Sequence, residues 1–219
     1  MYFSRSDINS ITRIRRLNLI NSVTGVKPAN LIGTISKSSS TNLAIISSVV
    51  HLSSNPPLLG FMLRPDNNVP RHTFENIKET GCFTINNVTN AFVENGHYTS
   101  AKFAKEISEF KACSLTEEYL FDFKAPFVKE SNLKIGMKYL ENIEIKSSNT
   151  IMIVGEIEHI EIDEIALSDN GYIDLEKLDT VGISGLSSYY NLSKIIDLPY
   201  ARVEDIPLFS NNESIDITE

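Results

Sequence analysis

Two long runs of strand-forming residues, 136–145 and 150–162, meet across Lys146-Ser147-Ser148-Asn149, and this pair constrains the fold more than any other feature of the chain. Small polar residues between two such runs have turn chemistry, so the runs read as an antiparallel pair. Further strand-forming runs at 17–23, 29–36, 43–50 and 58–63 keep the same rhythm, with polar breaks between them. Lys37 to Asn42 reads as a hairpin connection. Pro56-Pro57 cannot donate ladder hydrogen bonds and marks the entry to the strand at 58–63. Cys82 to Asn86 alternates, with Phe83 and Ile85 on one face, and Asn170-Gly171 marks a further turn.

Helices are the minority. Ser6-Asp7-Ile8-Asn9 starts a short one through Arg16, with Ile8, Ile11, Ile14 and Leu17 at helical spacing. At 73–80 the period changes to three, Thr73 is a good N-cap and Gly81 is placed to end the helix. Residues 100–107 and 116–121 read as peripheral helices. No repeat divides the 219 residues, which read as one domain, 1–219, with an N-terminal helical arm (about 5–16) and an acidic tail (about 199–219). The fold expected from this pattern is mainly β: an antiparallel barrel with a few short peripheral helices.

Charge and motifs narrow the chemistry. The net charge is −8, which argues against a nucleic-acid partner, because such partners need a basic face. Fifteen acidic residues face only Lys177, Lys194 and Arg202 from 151 onward, while Arg5, Arg13, Arg15 and Arg16 sit at the other end. The acidic excess reads as a solvated surface, with a basic arm meeting an acidic neighbouring subunit as the alternative. The most apolar stretch, 42–52, is broken by Ser47, Ser48 and His51 and falls short of the roughly 20 residues of a membrane span. With no apolar leader behind Met1, the expected location is cytoplasmic. Cys82 and Cys113 lack metal or redox spacing, and the four histidines lie far apart, so no metal site is expected. Neither a glycine-rich dinucleotide or phosphate loop nor a GxSxG elbow is present.

One stretch carries chemistry. From Arg64 to Thr73 two guanidiniums flank a loop that opens into a helix, whose first N–H groups and dipole attract phosphate. Arginine adds bidentate bonds to phosphate oxygens, and the Thr73 hydroxyl can add another. The plain structural alternative is that Thr73 caps its helix while Arg64 and Arg71 sit in solvent or pair with acidic neighbours.

Several ordered motifs resemble the flavin-reductase-like family of FMN-binding split-barrel proteins: Thr41-Asn42-Leu43-Ala44-Ile45-Ile46-Ser47-Ser48, then Ser54-Asn55-Pro56-Pro57-Leu58-Leu59-Gly60-Phe61, then Arg71-His72-Thr73-Phe74-Glu75-Asn76-Ile77. Gly81 to Asn86, Glu156-Ile157 and Gly185-Leu186-Ser187-Ser188-Tyr189-Tyr190 extend the likeness over about residues 18–192. The resemblance implies a homodimeric split barrel with FMN near the subunit interface. It places Asn42, Ala44, Ser47 and Ser48 along the flavin, with backbone N–H groups of 42–48 on its carbonyls. Arg64, Arg71, His72 and Thr73 fall at the phosphate, and Thr34 and Ser36 on the adjoining strand. The activity implied is NAD(P)H-dependent flavin reduction, with the acceptor and the catalytic residues unassigned. The alternatives are a flavoredoxin-like electron carrier with permanently bound FMN and a protein redox partner, and a barrel without flavin that binds another anion or a protein. Tyr189 and Tyr190 read first as core packing, with a cover over the flavin or its partner's pocket as the alternative.

Overall fold

The computed structural model describes residues 1–64 and 71–207 of the chain. It opens with α1 (Arg5–Ser10) and α2 (Arg13–Ser22) and continues through β1 (Lys27–Pro28), β2 (Asn30–Ile35), β3 (Thr41–Ile46), β4 (Val50–Ser54) and β5 (Pro57–Leu63). There follow α3 (His72–Thr80), β6 (Cys82–Asn87), α4 (Val93–Tyr98), α5 (Glu109–Ala112), β7 (Glu117–Glu118), β8 (Phe127–Val128), β9 (Leu133–Ile145), β10 (Thr150–Ile162), β11 (Val181–Ser184) and β12 (Ser188–Asn191). Seven strands form one antiparallel sheet in the order β3-β2-β6-β9-β10-β5-β4, and β1-β11-β12 form a smaller one.

The two edges of the large sheet, β3 and β4, are consecutive in the chain, so the sheet curls until its edges meet at the bend 47–49. Ser48 fastens that corner to β5. Its hydroxyl accepts from the Met62 amide at 3.0 Å and donates to the Met62 carbonyl at 3.2 Å. Inside the curl pack Ile32, Phe61, Leu63, Phe83, Ile85, Met137 and Ile153, with Ile77 of α3 among them, and Phe61 meets Phe83 edge to face at 5.5 Å. A second core, including Leu31, Leu43, Phe92, Phe110, Val181 and Ile183, fills the opposite side of β2 and β3. Strand β2 is therefore buried on both faces, which suits its unbroken Asn-Leu-Ile-Gly-Thr-Ile run better than alternation would.

Local chemistry places several elements where the sequence puts them. β9 and β10 pair along their length, with register shifts at Val154/Gly155 and Ile157/His159. The hairpin between β2 and β3 turns through Ser39 at φ 65°, Gly171 turns at φ 84°, and Pro57 opens β5. Gly81 ends α3 in the left-handed conformation, φ 74°, its N–H bonding the Ile77 carbonyl.

Other expectations are corrected. Residues 17–23 are helical and not a strand. α2 continues to Ser22 because Ile14, Leu17 and Ile20 keep a spacing of three, and the Asn21 and Ser22 side chains bond back to the carbonyls of Leu17 and Asn18. The N-cap of α1 is Ser4, in a capping box with Asp7. Arg71 and not Thr73 occupies the N-cap of α3. The run 43–50 is split between β3 and β4 by the Ser48 corner, and β6 is buried on both faces and not one. Residues 100–107 are irregular and 117–118 pair with β8, so neither expected peripheral helix forms. Tertiary contacts outweigh a weak helical preference there. Tyr189 packs against the second core, whereas Tyr190 is exposed. Pro65 to Pro70, and the part of the acidic tail beyond residue 207, lie outside the described residues.

Candidate functional site

β3 is an edge strand, so every second amide along it must find a partner other than β2. Two side chains from later in the chain supply these. Glu109, the first residue of α5, accepts from the Leu43 amide through Oε2 at 3.0 Å, and Thr99 Oγ1 accepts from the Ile45 amide at 3.0 Å while donating to the Gly96 carbonyl. The expected use of the whole 42–48 backbone as ligand donors is narrowed accordingly, since the Leu43 and Ile45 amides are already engaged. The corner at Ser47 and Ser48 lies beyond the ladder.

Between this strand, the start of α3 and the irregular segment 99–105 opens a cleft of about 870 Å³. Asn42, Ala44, Ser47, Ser48, Arg64, Arg71, His72 and Thr73 all line it. Asn42 and Thr73, both buried, are tied together, the Asn42 amide donating to Thr73 Oγ1 at 3.1 Å. Thr34 does not reach the cleft. It is wholly buried behind α3, where its hydroxyl accepts from Asn76 Nδ2 at 3.1 Å. Ser36 opens on a small side pocket shared with Asn42 and His72, and its hydroxyl accepts the Ser40 amide within the hairpin turn.

The cleft has a polar rim and apolar walls. Arg64, Arg71, Lys102 and Lys105 set positive charge against Glu75 and Glu109, with the His72 ring beside them, and Lys105 pairs with Glu75 at 3.0 Å. That bond raises the Lys105 pKa. Burial pushes the Glu109 carboxyl above its ordinary range, against the amides of Leu43 and of its own residue and the neighbouring His72. The nine residues of α3 start at this rim, so its dipole adds to the positive potential. Ile45, Met62, Phe103, Ile183 and Leu186 form apolar walls. Beside them Tyr189 bonds His97 Nδ1 at 3.0 Å, and burial lifts its hydroxyl to about 12.

As cleft residues, 99–105, Glu109, Met62 and Ile183 escape a reading of the sequence, and Leu186 enters it only within the motif at 185–190. They are remote from β3 in the chain, and local periodicity carries no signal for a contact made by closure. Among the described residues no three of His, Cys, Asp and Glu converge as a metal-binding set, and no helix is long and apolar enough to cross a membrane.

An anionic ligand with an apolar part fits what is present: positive groups and apolar walls line one cavity, with a volume within the roughly 300–1,000 Å³ of small-molecule sites. Comparison with known proteins points the same way. Residues 26–176 match the model of the flavin reductase like domain. A protein from Shewanella frigidimarina NCIMB 400, assigned as a candidate flavin reductase with a split barrel domain, superposes with a TM-score of 0.88 at 49% identity, over 92% of this chain and 100% of that one. The flavoredoxin of Desulfovibrio vulgaris (Miyazaki F) superposes with a TM-score of 0.70 at 26% identity, over 80% and 92%. An uncharacterized protein of Aquifex aeolicus (strain VF5) is 28% identical over 71% of this chain and 78% of its own length.

Proposed function

Because this chain belongs to the flavin reductase like domain family and has its mainly β split-barrel fold, we propose that it binds FMN in the cleft and acts as an NAD(P)H-dependent oxidoreductase of the flavin reductase type. The observation that carries this reading is the cleft itself. Eight of the ten residues expected at the flavin line one cavity, and its cationic rim coincides with the N-terminus of α3.

In this reading Arg64 and Arg71 would hold the phosphate by charge-assisted hydrogen bonds, with His72 and the first amides of α3 as further donors. Thr73, its hydroxyl fixed by Asn42, adds a neutral one. The Ser47–Ser48 corner, its Ser48 held by Met62, would supply backbone donors to the flavin. Phe103, Ile183 and Leu186 would form apolar walls that exclude water from the bound cofactor. Bound FMN would supply the redox chemistry, as acceptor of a hydride from a nicotinamide. The residues of this chain bind, orient and exclude solvent, and no side-chain acid is required of them. A homodimer with the cleft near the subunit interface completes the proposal.

The likeness to a flavoredoxin supports a second reading, an electron carrier that keeps its FMN and serves a protein partner. A visible spectrum after loading with FMN and removing the excess separates them. Retained flavin bands that bleach anaerobically with NADH or NADPH support the reductase. Retained bands that stay oxidised favour the carrier, and no retention, with no acceleration of NAD(P)H oxidation by added flavin, refutes both.

A further inference from the structure

Both ends of the described chain leave the molecule from the same small sheet. α2 leads into β1 on one side of β11, and β12 on the other side leads into the segment 192–207. Neither α1 nor α2 buries a residue, and Ile14, at 73% exposed, Ile20 and Val23 face solvent. The second segment exposes more: Ile195 at 96%, Leu198 at 76% and Tyr200 at 86%, with Ile196, Val203 and Ile206 beside them. Single exposed apolar residues are ordinary, but such a concentration on one segment marks a contact surface.

The start of the segment is anchored at Lys194. The Lys194 amide donates to Glu176 Oε2 at 3.0 Å, its ammonium pairs with Asp197 at 2.7 Å, and that ammonium lies 5.0 Å from the centre of the Tyr172 ring. Beyond that anchor Ile195, Leu198 and Tyr200 stay exposed and do not join the chain's own core. Charge separates the two arms. The first carries Arg5, Arg13, Arg15 and Arg16 against Asp7, whereas in the second, with Asp197 paired to Lys194, Glu204 and Asp205 stand against Arg202.

We propose that the two arms form an exchange interface, with segment 195–206 of each copy lying along the α1–α2 arm of a second copy of this chain. The arms match in being apolar and oppose each other in charge. Within one chain they do not cover each other, since both stay exposed. A twofold pair would make the contact twice, burying both sets at once. The inference rests on the homodimer reading but not on FMN. It bears on the cleft as well, because the β11–β12 hairpin between the arms supplies Ile183 and Leu186 to its wall.

The test uses the full chain: sedimentation velocity over a concentration series, with hydrogen exchange on the same samples. A triple variant, Ile195→Ser, Leu198→Ser and Tyr200→Ser, removes apolar surface that touches little of its own chain, so its circular dichroism should match wild type. Expected are a wild-type dimer with residues 13–23 and 195–206 protected only when dimeric, and a dimer dissociation constant raised roughly tenfold or more in the variant. A dimer with unprotected arms, or an unchanged constant in the variant, overturns the exchange and leaves the homodimer standing. A wild type that is monomeric at every concentration overturns both.

Discussion

Replacing Glu109 separates two things its carboxylate does at the edge of β3. The residue is 6% exposed, and its Oε2 is the partner of the Leu43 amide at 3.0 Å. Glu109→Leu leaves that buried N–H without an acceptor, which costs about 1–3 kcal/mol. A chain of this size loses about 2–4 °C of melting temperature per kcal/mol, so about 2 kcal/mol corresponds to about 4–8 °C. Glu109→Gln keeps an acceptor and removes the charge. Burial holds the folded carboxyl above its ordinary pKa, so as pH rises the unfolded chain releases its proton first. The stabilisation this group contributes is therefore full below the ordinary carboxylate pKa and is lost as pH climbs through the raised folded value. Glu109→Gln cannot titrate and should gain on wild type across that window, the gap levelling off above it. Urea unfolding of the three proteins in steps from about pH 4 to pH 8 reads both effects. A Leu variant as stable as wild type throughout, or a Gln-to-wild-type gap that does not change with pH, refutes the reasoning.

Two further substitutions address the rim and the core. Arg71→Ala should weaken FMN binding by about 1–3 kcal/mol, roughly 5- to 150-fold in the dissociation constant measured by fluorescence titration, and an unchanged constant removes Arg71 from the phosphate site. Gly33→Ala should destabilise the fold by about 1–3 kcal/mol, because a Cβ there would overlap the Pro126 carbonyl oxygen and Thr84 Oγ1, and an unshifted thermal midpoint would refute that close approach.

What the sequence by itself determined is whatever depends on neighbours in the chain. The β9–β10 pair, the hairpin connection read at 37–42, the opening of β5 at Pro57 and the end of α3 at Gly81 all rest on local turn chemistry and strand preference, so they were legible. So were the two contiguous stretches on one side of the cleft, 42–48 and 71–73, because their motifs are continuous. α2 was misread in part because Leu17 and Leu19 also satisfy a spacing of two, and nothing local chooses between the periods. Thr34 and Ser36 adjoin the cleft strand but turn to Asn76 and to the hairpin, a choice that α3 makes by packing behind β2. The far side of the cleft was decided only in three dimensions. Glu109 and Thr99 lie over fifty residues from the amides they serve, and Ile183 and Leu186 arrive through a separate sheet. An edge strand demands acceptors for its free amides, but which side chains answer is settled when the sheet curls, and that closure leaves no period in the sequence.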